Sequence, residues 1–74
     1  QESLQPPADS TDVLAVIEGV LDAEEDAIAT YRELVDVADD AGDPVTEDLA
    51  VMLLSDEEAH RTEFRGFAKE YRAD

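Results

Sequence analysis

Two apolar stripes of helical period, split by a single short break, leave this chain few folds to choose from. Val13, Val16, Ile17, Val20, Leu21, Ala27, Ile28, Tyr31, Leu34, Val35 and Ala38 recur at three- and four-residue spacings, which lays one apolar stripe along a long helix. The stripe stops at Gly42-Asp43-Pro44. Gly42 suits a left-handed residue just past a helix end, Asp43 an N-cap, and Pro44 a first helical position. A second stripe follows through Val45, Leu49, Met52, Leu53, Leu54, His60, Phe64, Phe67 and Tyr71. A connection this short returns the second helix antiparallel beside the first. The expected fold is all-α: an antiparallel helical hairpin over 10–74, with helices at 10–41 and 44–72. Residues 1–9 hold Pro6 and Pro7, carry no periodic pattern, and read as a tether. Ser10 or Thr11 is the expected N-cap, with Asp12 in the first turn where the helix dipole favours a negative charge.

Each helix has only one neighbour within the chain, so part of each stripe stays uncovered and an isolated hairpin is marginal. Seventy-four residues without cysteine exclude a disulfide staple. A single core below about 70–80 residues rarely suffices without metal or oligomerisation. The pattern therefore asks for a second pair of helices, making this hairpin half of a four-helix bundle. No apolar run is long enough for a bilayer and there is no secretory segment, so a soluble, cytoplasmic chain is expected. The lack of an initiator methionine implies processing or a piece of something longer.

Charge narrows the partners. Twenty-one acidic residues face five basic ones, for a net charge of −16. Such self-repulsion opposes a compact state in ordinary buffer and is tolerated in high salt, which points to a halophilic origin. Apolar content of 43% is too high for a disordered acidic tail, and the acids are spread along amphipathic segments. With no basic face to neutralise phosphates, nucleic acid is not an expected partner.

The chemistry-bearing constellation centres on Asp56-Glu57-Glu58-Ala59-His60. Glu57 and His60 stand at i,i+3 and share one helix face with Leu53, Phe64 and Phe67. On the first helix Glu24 lies in the apolar stripe between Val20 and Ala27, Ile28 and Tyr31. An acid within such a stripe is costly unless it is paired or holds a metal. Glu24 lies 18 residues before Gly42, about 27 Å along the helix; Glu57 and His60 lie 14 and 17 beyond Asp43, about 21 and 26 Å. All three thus reach nearly one level of the hairpin. Two carboxylates and an imidazole there make half of a di-iron carboxylate site, which takes a Glu from each of two helices and Glu-x-x-His from each of the other two.

The chain also resembles a known family. Asp12-Val13, Leu21-Asp22-Ala23-Glu24, Tyr31-Arg32-Glu33, Asp43-Pro44-Val45-Thr46 and Asp56-Glu57-Glu58-Ala59-His60 together resemble the C-terminal half of bacterioferritins and related ferritin-like proteins, from about Asp12 to Phe67. The resemblance implies that Glu24 is a terminal iron ligand, that Glu57 bridges two irons, and that His60 binds through a ring nitrogen. It implies Fe(II) oxidation coupled to iron storage, in a homo-oligomer. The first two helices of the family, with three further ligands, are absent here. A separate chain, a lost segment or a second copy of this hairpin could replace them, and the last resembles encapsulated ferritins. The haem-binding methionine of bacterioferritin corresponds to Glu58, and Met52 does not match it, so no haem is expected from this chain.

The remaining residues of interest have blander expectations. Glu25 and Glu58 point away from the triad and should be solvated. Asp56 either hydrogen-bonds to the site or faces water. Tyr31, Phe64 and Phe67 are expected in the core, and Arg61 and Arg65 are expected to screen acidic neighbours. Carboxylates with one imidazole per metal suit Fe(II), Mn(II) or Zn(II). Three functions stay open: ferroxidase and iron store, a di-metal peroxide-consuming protein of the rubrerythrin or Dps type, or a metal-free assembly module.

Overall fold

The computed structural model describes residues 10–72 as two helices, α1 (Ser10–Asp40) and α2 (Pro44–Arg72), packed side by side. This is the all-α hairpin expected. The tether expected over 1–9, the capping side chain at Ser10 or Thr11, and residues 73–74 lie outside what the structure describes. Among the described residues no helix is long and apolar enough to cross a membrane.

The turn is built by two residues with separate jobs. Gly42 takes φ 69°, the left-handed conformation that a side chain disfavours. It lets the Gly42 N–H donate to the Asp39 carbonyl at 3.0 Å and the Asp43 N–H to the Ala38 carbonyl at 2.9 Å, a Schellman closure. That closure ends α1 at Asp40, one residue short of the expected boundary at 41. Asp43 then caps α2. Its carboxylate accepts the Thr46 N–H at 3.1 Å and the Thr46 hydroxyl at 2.6 Å, while its carbonyl accepts the first helical bond from Glu47 at 3.0 Å.

The seam between the helices is thin. Ile17, Ile28 and Ala38 of α1 and Ala50 and Ala68 of α2 are buried. Two alanines on α2 let the backbones approach closely, but small side chains remove little apolar surface from water. Ile28 is the one large side chain wholly buried among the described residues, contributing about 2–3 kcal/mol. That is small against the backbone entropy of ordering two long helices, about 1 kcal/mol or more per residue. Much of the two stripes stays exposed: Val16, Leu34, Val45, Leu49, Met52, Phe67 and Tyr71, with Val45 at 78%. Phe67, expected in the core, is therefore an exposed residue, touching Phe64 edge-on with ring centroids 5.4 Å apart.

On the opposite side of the seam the helices are cross-linked by charge. Arg72 pairs with Glu18 at 2.6 Å, Arg65 with Glu25 at 2.9 Å, and Arg32 with Glu58 at 3.1 Å. Each step of seven residues forward on α1 is matched by seven back on α2. Exposed pairs of this kind contribute about 0–1 kcal/mol each, so the ladder sets antiparallel register more than it adds stability.

The Thr46 hydroxyl, followed by the Thr46 and Val45 backbone N–H groups, holds the Asp43 carboxyl below its usual value of 3.8. The cap's ionic share is therefore present above that value and lost as pH falls through the lowered one. Asp43→Asn should keep the cap geometry while removing this acid-sensitive share, whereas Asp43→Ala should lower the melting temperature by roughly 5 °C. Thermal melts of the three proteins between about pH 2 and 7 check both outcomes.

Candidate metal centre

Helical rotation sorts each helix into two edges. At about 100° per residue, Val16 and Leu34 lie to one side of Glu24, and Glu25 and Arg32 to the other. On α2, Leu49, His60 and Phe67 lie on one side of Glu57, and Glu58 and Arg65 on the other. Antiparallel packing brings like edges together: the charged ladder on one side, the uncovered apolar face on the other. Glu24 and Glu57 sit where the seam opens onto the apolar face.

There the structure brings all three candidate ligands together. The His60 Nδ1 lies 3.8 Å from a Glu24 carboxylate oxygen and 3.8 Å from one of Glu57. One ligand atom from each of the three lies within 4.8 Å of the other two. These separations are too long for hydrogen bonds to the imidazole. They suit a shared ion, because two donors held about 2.1 Å from one metal stand roughly 3–4 Å apart. The donor set, two carboxylate oxygens and an imidazole nitrogen, is one that Fe(II), Mn(II) and Zn(II) accept.

The centre lies halfway along both helices. Glu24 is 14 residues from Ser10 and 16 from Asp40; Glu57 is 13 from Pro44 and 15 from Arg72. It is also graded in depth. The Glu24 side chain is 14% exposed, Glu57 24% and His60 52%, so the imidazole stands at the open surface. The sequence pattern placed all three inward; His60 instead lies half outside, on the exposed apolar edge beside Leu49 and Phe67.

Electrostatics shows what this arrangement costs without a cation. A hydrogen bond shared with Glu57 pushes the Glu24 carboxyl above its ordinary value of 4.5, helped by desolvation and the Glu57 charge and opposed by His60. Two carboxylates this close favour a proton between them. A metal ion would replace that proton and relieve the same repulsion.

The residues around the triad fall differently from the blander expectations. Glu25 accepts from Arg61 at 3.1 Å and Arg65 at 2.9 Å, and Glu58 accepts from Arg32 at 3.1 Å. Both acids face away from the triad, yet they are tied across the seam rather than merely solvated. Arg61 and Arg65 do neutralise an acid, and it is one on the opposite helix. Tyr31 and Phe64 are half-buried and Asp56 is exposed. The ladder was missed in the sequence although its signal is there: Glu18, Glu25 and Arg32 on one helix and Glu58, Arg65 and Arg72 on the other are each seven apart.

A raised carboxyl in the folded state carries a cost that is absent below the ordinary value and complete once pH rises through the raised one. Glu24→Gln should therefore make the metal-free chain melt at a higher temperature than the parent near pH 7, with the difference closing towards pH 4. Melts in the presence of chelator check this; a less stable variant near pH 7 contradicts it.

No curated protein and no solved structure was found to match the chain. The sequence model of one family, the ferritin-like domain, matches residues 1–73. That match spans all but the last residue of a chain already seen to be a helical hairpin, and the chain therefore belongs to the ferritin-like domain family.

Proposed function

We propose that this chain binds Fe(II) through Glu24, Glu57 and His60 and promotes its oxidation and storage, as half of a di-iron site completed by a second hairpin. The observation that carries this reading is the convergence of the three side chains at the midpoint of the one face left uncovered. The cover that the apolar face needs would also lie directly over the triad. Membership of the ferritin-like family relates the chain to iron and to helical-bundle assembly in general terms. A second copy about a two-fold axis through the triad would assemble four carboxylates and two imidazoles, the ligand set of a di-iron carboxylate bundle.

The residues divide the work by position. Glu57, more exposed than Glu24, would reach towards a second ion brought by the partner. Glu24, deepest of the three, lies beside the Glu57 carboxylate and would offer its oxygens from inside the seam. His60 would supply a ring nitrogen at the open surface, where the partner would dock. Bound there as substrate, Fe(II) would pass one electron per ion to dioxygen or peroxide. Val16, Leu49, Phe67 and Tyr71, pressed against their counterparts, would keep bulk water from the site. The kinship to the C-terminal half of bacterioferritins fits this role in a homo-oligomer. A net charge of −16 fits a halophile's cytoplasm, where salt at about 1 M screens charges beyond roughly 3 Å and lets two acidic hairpins meet.

Anaerobic loading with Fe(II) in high salt, followed by metal analysis and particle mass, tests this. The expected result is about one iron per chain in a dimer or larger assembly, lost on Glu57→Ala or His60→Ala while the helices persist. A well-folded assembly that retains no iron contradicts the proposal.

A further inference from the structure

Three residues that carry no candidate ligand atom sit beside the three that do. Glu25 follows Glu24, Glu58 follows Glu57, and Arg61 follows His60. Each of them forms an ion pair across the seam, and the densest node joins the two helices at the level of the triad. There one carboxylate, Glu25, takes Arg61 on one oxygen at 3.1 Å and Arg65 on the other at 2.9 Å.

The rungs are not equivalent. Glu18 and Arg72 are both about half exposed and lie towards the open end of the hairpin. Arg61 is only 19% exposed, its Nε is buried without a hydrogen-bond partner, and Glu25 is its one ion-pair partner among the described residues. Its cationic head is thus held in place by Glu25 alone. A change at Glu25 leaves a largely desolvated guanidinium with nowhere to stay, one residue from His60. Charge-assisted contacts that occupy both oxygens of one carboxylate constrain its geometry as well as adding energy. Because Glu24 and Glu25 are adjacent on α1, and His60 and Arg61 adjacent on α2, the rotation that aligns the node also aims Glu24 and His60 at each other.

We infer that Glu25, Arg61 and Arg65 are positioning residues for the metal centre: their node fixes the relative rotation of α1 and α2 so that Glu24, Glu57 and His60 converge. This rests on the reading of the triad as a metal site. The node acts through the helices, and none of its atoms is required to touch the metal.

Co(II) is a suitable probe, since its visible absorption reports ligand geometry. The full chain in high salt is compared with Glu25→Asp and with Glu18→Asp. Both variants keep the charge and shorten one ladder carboxylate by a methylene, so an electrostatic role alone distinguishes neither from the parent. Positioning predicts that Glu25→Asp weakens Co(II) binding by roughly tenfold or more and alters the absorption bands. Glu18→Asp should stay within about twofold of the parent with unchanged bands. Should Glu25→Asp lose its helices, Arg65→Ala, which removes the single contact to Glu25 on the exposed side of the node, must show the same altered bands. If the Glu25 and Arg65 variants bind Co(II) as the parent does, the node serves only the hairpin and the inference is overturned. If the parent itself binds no Co(II), the inference falls together with the metal site.

Discussion

A helix with one neighbour can bury only the side of its apolar stripe that faces that neighbour, and everything unusual about this hairpin follows from that limit. The seam hides Ile17, Ile28, Ala38, Ala50 and Ala68, while Val16, Leu49, Met52, Phe67 and Tyr71 remain at the surface. The triad lies along the boundary between what the hairpin covers and what it leaves open.

Two polar devices hold the halves of the hairpin in a defined relation. The turn at Gly42 and Asp43 sets how far each helix travels before its partner begins, and so fixes which levels oppose. The ladder of Glu18, Glu25 and Arg32 against Arg72, Arg65 and Glu58 then fixes rotation. Neither adds much stability, because exposed ion pairs are weak and the cap is a local contact. Their effect is on geometry: they hold Glu24 beside Glu57, whose hydrogen bond, with desolvation and like charge, raises the Glu24 carboxyl. A structural preference alone would place an apolar residue there, and the arrangement makes sense as a cost offset by a bound cation.

Much of this was legible in the residues. Periodicity and the Gly-Asp-Pro break are local signals, and the turn formed as their chemistry dictates, with a one-residue difference at the end of α1. The common level of Glu24, Glu57 and His60 followed from helical rise alone, because a tight antiparallel turn converts residue counts into distances. Burial was harder to read. A stripe shows which residues prefer to be inside without showing what covers them, and so Phe67 and His60 lie further out than their patterns suggested. The ion pairs across the seam escaped notice because pairing between helices depends on rotation, which a single helix's spacing does not reveal. Only the repeated interval of seven residues on both helices hinted at them.

The central claim is that the triad is half of a shared iron site, and crystals of the iron-loaded protein test it most directly. Diffraction data on either side of the iron absorption edge locate iron independently of any fitted chain. The account predicts two neighbouring iron peaks between two hairpins, each within coordination distance of Glu24, Glu57 and His60 side chains. Iron scattered over the acidic outer surfaces, with the triad of each hairpin facing an iron-free interface, would contradict it.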